Sequence, residues 1–212
     1  MPIFLVSETV IDLAFLLEGS KQLTSAQFEA LKTFVKSSID NIHVSESGSH
    51  VAVMEYSDEA TLKISFNDFT NPDRLKEAVD RIQPSRGQGV ETAKGLELAA
   101  NRVFGVGHGS RPGVAKVLVL LTASNSTGVE RLRYAAMPLV YRGVTVYVVG
   151  IGKNVDQDEV KELVADKGMV VSVNVVDELP RVVPNVLKKI ISVVEKGKYN
   201  ATQCNAVYCS VV

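Results

Sequence analysis

Few residues of this 212-residue chain stand where a reaction could use them. Ser20 follows Glu18-Gly19 on a break between an apolar run and an amphipathic one, a tight turn that could expose a nucleophilic hydroxyl. A hydrolytic serine also needs a histidine and a carboxylate close by. No Gly-x-Ser-x-Gly frames Ser20. His43 and His50 are expected as solvated loop residues at the opposite end of the sheet, and His108 lies in a glycine turn. Phosphate cradling is no better supported. Gly105-Val-Gly107 follows a helix and precedes a strand, the reverse of the dinucleotide order. Gly150-Ile-Gly152 follows a strand but lacks the third glycine, and no Walker A sequence is present. Asp156-Gln-Asp158-Glu159 lacks the spacing of a calcium loop and reads as a helical first turn, where carboxylates favour the dipole. The chain is expected not to be an enzyme.

Other chemistry is confined to a few positions. Cys204 and Cys209 have four residues between them. They could close a small loop, bridge to another chain or stay reduced, and with no histidine nearby they make a poor metal set. Asn125-Ser-Thr127 and Asn200-Ala-Thr202 match the N-glycosylation sequon, which has meaning only in the secretory pathway.

Strand-like and helix-like segments alternate around these residues. Residues 11–17 form a short apolar run, as in a strand buried on both faces. Thr24 or Ser25 caps a helix with Phe28, Leu31, Phe34, Val35 and Ile39 on one face. Residues 51–56 and 61–66 flank a hairpin turn, and Asn71-Pro72 opens a short helix that Pro84 ends. Helices are expected at 91–104, 129–141, 157–166 and 182–194, and strands at 117–121, 144–150 and 169–173. This pattern implies a doubly wound α/β domain, mainly parallel, with one antiparallel edge strand and helices on both faces. Right-handed crossovers bring the loops after Leu17, Gly89 and Leu121 to one end of the sheet, where a site should lie. The domain is expected over residues 1–196, with residues 197–212 an extended tail.

Composition sets the outer limits. The chain is 46% hydrophobic and 22% charged, with 23 basic and 24 acidic residues and a net charge of −1. No global field favours nucleic acid or an anionic membrane, and no apolar run approaches the ~20 residues of a membrane helix. The first residues lack a basic region and a small-residue cleavage site, so they do not read as a signal peptide. With its two sequons, the chain reads as a module of a larger secreted protein.

The opening Asp12-Leu-Ala-Phe-Leu-Leu-Glu18-Gly-Ser20 before an amphipathic helix resembles the start of von Willebrand factor A domains. The likeness continues through residues 51–57, 111–122 and 144–152 and closes with 176–180 before the last helix. It spans roughly residues 10 to 195 and implies a six-stranded, mostly parallel sheet. Many such domains hold Mg²⁺ at the carboxyl end of the sheet through Asp-x-Ser-x-Ser, a threonine and an aspartate on three loops, leaving one position for a partner's acidic residue. Here those positions read Glu18, Ser20, Gln22, Val90 and Ala123, so only the first serine matches. One carboxylate, a hydroxyl and an amide form a poor Mg²⁺ cage, and no metal or cofactor is expected. Glu18 should then find Lys, Arg or backbone donors, with Gln22, Ser20 and Ser124 forming a neutral hydrogen-bond network around it.

The resemblance implies an extracellular module that binds a protein partner without a metal, with collagen, another matrix protein or a cell-surface receptor as the partner class. A sugar on Asn125 would push that partner toward a side face, and Lys63, Arg74, Lys76 and Arg81 mark one such face. Two alternatives remain open: a spacer in a disulfide-linked matrix polymer, and a metal-dependent domain with an atypical site. A nucleotide-using α/β protein is disfavoured by the missing phosphate loop.

Overall fold

A computed structural model describes residues 9–208 except 106, 108, 153, 154, 164–168, 176 and 177. The elements run β1 (Ile11–Glu18), α1 (Ser25–Asp40), β2 (His50–Tyr56), β3 (Ala60–Ile64), α2 (Pro72–Asp80), α3 (Thr92–Leu98), β4 (Ala115–Thr122), α4 (Leu132–Tyr141), β5 (Val144–Ile151), α5 (Gln157–Leu163), β6 (Met169–Val173) and α6 (Leu179–Tyr208). The sheet has six strands in the order β3-β2-β1-β4-β5-β6. Only β3 is antiparallel, and its register with β2 shifts between Val53 and Met54.

The largely apolar central strands divide their apolar side chains strictly by parity, as a two-faced sheet demands. Leu13, Phe15 and Leu17 of β1, with Val117, Val119 and Leu121 of β4, pack under α1, α2 and α6. Ala14, Leu16, Leu118 and Leu120 pack under α3, α4 and α5. α3 comes very close to the sheet at Gly95, where a β-carbon would stand 2.8 Å from Leu16 Cδ2. α1 begins at Thr24, whose hydroxyl accepts the Gln27 amide while the Gln27 side chain returns to the Thr24 amide. That reciprocal cap fixes where the helix leaves the β1 loop.

The amino end of β1 is tied down by a charge pair. Asp12 is fully buried, and its carboxylate accepts from the Arg111 backbone N–H and from Arg111 Nε and Nη2 at 2.7, 2.9 and 2.6 Å. Arg111 Nη1 also donates to the Gly48 carbonyl, so one guanidinium joins β1 to the segments entering β2 and β4.

Several expectations are corrected. β3 ends at Ile64, short of 66, and Phe66 folds back into the core. The helix expected over 91–104 is α over Thr92–Leu98 and widens to a π-type turn over Ala99–Val103. The last helix reaches Tyr208, so residues 197–208 are helical and not an extended tail. His50 is buried at the start of β2, with Nε2 3.2 Å from the Glu46 carbonyl, whereas His43 is exposed as expected. His108 lies outside the described residues.

Candidate functional site

The carboxyl end of the sheet gathers the loops after β1, before α3 and after β4. Glu18 ends β1 fully buried, and its two oxygens are enclosed by five donors from the chain itself. Oε1 accepts from Ser20 Oγ and Ser124 Oγ, both at 2.7 Å. Oε2 accepts from the Ala123 and Ser124 backbone N–H groups at 2.8 and 3.1 Å and from Thr122 Oγ1 at 3.0 Å. The parallel pairing of β1 with β4 puts Leu17 beside Leu121, which brings Glu18 to the start of the β4 loop. Among the described residues no Lys or Arg takes part, which corrects the expectation of a cationic partner. The donors are neutral hydroxyls and amides, which is how a buried carboxylate is satisfied without an ion pair.

The expected network around Glu18 is present for Ser20 and Ser124, and Gln22 is its correction. The Gln22 side chain is exposed, and only its backbone N–H takes part, donating to Ser20 Oγ at 3.2 Å. Val90 is buried in the apolar layer under α3 and α4, and Ala123 packs against the opposite layer. Neither offers a side-chain oxygen to the site.

A second buried carboxylate seats the loops on one another. Glu55 Oε1 accepts from the Ser85 N–H and Oγ at 3.1 and 2.6 Å, and Oε2 lies 3.4 Å from Lys63 Nζ. Gly19 passes directly over it. The Gly19 N–H donates to the Tyr56 carbonyl and its carbonyl accepts from the Arg86 N–H, so the β1 loop is stitched to β2 and to the loop before α3. Asp58, at the β2–β3 turn, accepts from the Gln88 and Gly89 N–H groups at 2.8 and 2.5 Å. Those two bonds hold its carboxyl below the usual carboxylate range.

The β4 loop is pinned from the other side by Glu159, whose sequence context explains it only as part of a helical first turn. Glu159 of α5 is buried, and both its oxygens accept from the Ser126 N–H, at 2.9 and 3.1 Å. Asn125 Oδ1 accepts from the Asp156 N–H at 2.8 Å, and Thr127 Oγ1 accepts from the Val90 N–H at 3.3 Å. The Tyr56 hydroxyl is fully buried and without a hydrogen bond of good geometry, although the Thr122 and Thr92 hydroxyls are near. Burial and then the Glu18 charge push its ionisation well above the ordinary tyrosine range.

The four cations of the expected partner face lie on or beside β3 and α2, but three are already engaged. Lys63 meets Glu55, Lys76 meets Asp40 and Asp73, and Arg81 meets Glu77. Asp40 in particular holds the Lys76 ammonium above its ordinary range. Arg74 has no ion pair among the described residues. Asn200 and Cys204 fall within α6, and Cys209 lies outside the described residues. Among the described residues no cluster of three or more His, Cys, Asp or Glu could hold a metal ion.

Among the described residues the most exposed apolar face lies on α4, at positions whose spacing does not distinguish it from core. Tyr134, Met137 and Tyr141 stand at i, i+3 and i+7 on α4 with exposures of 75%, 39% and 79%, beside Val140 at 45%. The spacing was legible, but a stripe of this kind is ordinarily taken for core. Here Leu132, Ala135, Ala136 and Leu139 fill the buried side instead.

Comparison with known proteins agrees with this architecture. Residues 12–185 match the model of the von Willebrand factor type A domain. Matrilin-1 of Gallus gallus is 29% identical over 160 residues, covering 76% of this chain and 32% of that protein. Von Willebrand factor of Rattus norvegicus is 34% identical over 115 residues, covering 54% of this chain and 26% of that protein. The collagen alpha-5(VI) chain of Mus musculus is 29% identical over 170 residues, covering 79% and 6%. The chain thus spans a third or less of the length of these relatives. Among solved structures, proximal thread matrix protein 1 from the mussel byssus superposes with a TM-score of 0.82 at 23% identity, covering 87% of this chain and 49% of that one. A second structure of that protein, described as having a zinc-occupied MIDAS motif, gives 0.81 at 22% identity, covering 87% and 49%. With its six-stranded sheet, its order of elements and the family match over most of its length, the chain belongs to the von Willebrand factor type A domain family.

Proposed function

We propose that this domain is an extracellular protein-binding module that recognises its partner without a metal ion. The observation that carries the reading is the enclosure of Glu18. A Mg²⁺ ion wants near-octahedral oxygen ligands. Here both oxygens of Glu18, the one carboxylate among the five matched positions, are occupied by five internal donors, while Val90 and Ala123 supply none. The residues present do not fit the ion. The matrix setting is supported by relatives that include a collagen chain and a byssal matrix protein, and collagen is the first partner to try.

Recognition then falls to a side face. The β3–α2 face keeps Arg74, but most of its charge is neutralised within the domain. α4 is the stronger candidate, because Tyr, Met and Arg are the residue types that dominate protein interfaces. Arg133 and Arg142 flank its exposed tyrosines. No helix among the described residues is long and apolar enough to cross a membrane.

The test is a binding screen against collagens and other matrix proteins, run in Mg²⁺ and again in chelator. Binding should be the same in both. Binding that disappears on chelation would overturn the metal-free reading, and no binding to any matrix protein would overturn the matrix reading.

A further inference from the structure

The loop after β4 carries a polar side chain whose two ends have different work. Asn125 is exposed, and its Oδ1 accepts the Asp156 N–H that opens α5. Its Nδ2 has no hydrogen-bond partner among the described residues. The next two residues complete a glycosylation sequon. Ser126 is held by Glu159 through its N–H and by Thr92 through its hydroxyl, and the Thr127 hydroxyl accepts the Val90 N–H. The oxygen of the Asn125 amide therefore serves the fold, and the nitrogen is left outside it.

We propose that Asn125 carries an N-linked glycan, and that the sugar stands over the carboxyl end of the sheet. This rests on the extracellular reading above. In the transfer, Asn125 Nδ2 bonds to the anomeric carbon of an oligosaccharide carried on a lipid pyrophosphate. The bond from that carbon to the pyrophosphate oxygen breaks, the lipid pyrophosphate leaves, and Nδ2 gives up one proton. The product is a secondary amide whose Oδ1 is unchanged as an acceptor, so the bond to Asp156 survives modification. An amide nitrogen that used both of its protons internally would lose a bond on attachment, and Asn125 avoids that conflict. Ser124, its neighbour, contacts Glu18, so the sugar is rooted one residue from the enclosed carboxylate. The end of the domain where relatives of this fold could hold a metal is then shielded from outside as well as filled from within.

The experiment expresses the full chain behind a secretion leader in mammalian cells. Peptide mass spectrometry reads residue 125 in the microsomal and secreted pools, before and after peptide N-glycosidase. Occupied Asn125 is expected in both pools, with the modification lost in Asn125→Asp, which keeps the Oδ1 acceptor, and in Asn125→Gln. Unmodified Asn125 in both pools overturns the proposal. Shielding is read on Lys21, an exposed residue of the same end. A bulky amine-acylating reagent should label it several-fold more slowly before deglycosylation than after, and equal rates overturn the shielding. An unmodified chain that still binds matrix protein sinks only this proposal. A glycosylated chain that binds none sinks only the functional reading.

Discussion

Glu55 Oε1 lies 1.8 Å from the point a β-carbon on Gly19 would occupy. Its own carboxylate carbon and Cγ lie 2.6 and 2.7 Å from the same point, and the Ser85 bonds keep the side chain from swinging away. Glycine at 19 is thus required by a buried carboxylate on the next strand, and not by its backbone angles. Gly19→Ala should cost about 1–3 kcal/mol, the usual range for overpacking. Urea unfolding at fixed pH measures it. A loss below a few tenths would mean the loops re-seat freely.

The enclosure of Glu18 predicts how the metal site could be restored. The quadruple change Glu18→Asp, Gln22→Ser, Val90→Thr and Ala123→Asp returns oxygen ligands to the altered positions. At Mg²⁺ about 100 times its Kd, binding would add about 2.7 kcal/mol to the variant. That corresponds to a rise in Tm of roughly 5–10 °C for a domain of this size. The native sequence should show no rise in the same ion, and thermal scans with and without chelator compare the two.

At the other end of the sheet, Arg111→Met should be among the most damaging single changes. It leaves Asp12 buried without its guanidinium, an arrangement that costs about 3–5 kcal/mol. Asp12→Asn with Arg111→Met should recover part of the loss, as a double-mutant cycle would show.

A milder prediction concerns pH. The carboxyl of Asp58 is held below its ordinary range in the folded domain, chiefly by the Gly89 and Gln88 N–H groups. Its contribution is present at and above the ordinary carboxylate range and is lost as pH falls through the depressed value. In an NMR titration the Gln88 and Gly89 amide protons should move together, with a midpoint below that of an unpaired aspartate. Asp58→Asn should remove that step.

If α4 is the recognition face, Tyr134→Ser with Tyr141→Ser should leave stability within about 0.5 kcal/mol, since both side chains lie mostly in water. Binding to a matrix ligand found in the screen should fall at least about tenfold, equivalent to about 1.4 kcal/mol. Equal binding by the variant would move the partner elsewhere.

The fold was legible because its strongest signals are local. The Thr24 cap, the apolar runs of β1 and β4 and the Asn71-Pro72 helix start act within a few residues of themselves. Boundaries failed where contacts between elements decide them. Phe66 leaves the expected strand to meet Phe104, with ring centroids 5.6 Å apart. In the site, Ser20 and Ser124 could be anticipated from side-chain chemistry. The Ala123 and Ser124 amides could not, because every residue but proline carries such a donor and only loop geometry aims it. Glu159 was hidden for another reason. Its bond to Ser126 joins residues 33 apart in sequence, and a carboxylate in a helical first turn already has a sufficient explanation.

The outermost strands, β3 and β6, are each only five residues long. β3 also carries Lys63 and sits beyond a register shift, devices that discourage another strand from adding to an edge. An arriving chain therefore meets little continuous backbone to pair with. Recognition that reads main-chain hydrogen bonds, which tolerates almost any extended sequence, is unfavourable at both borders. What remains is discrimination by side-chain shape and charge, and copies of the domain crowded together have little means of zipping to one another.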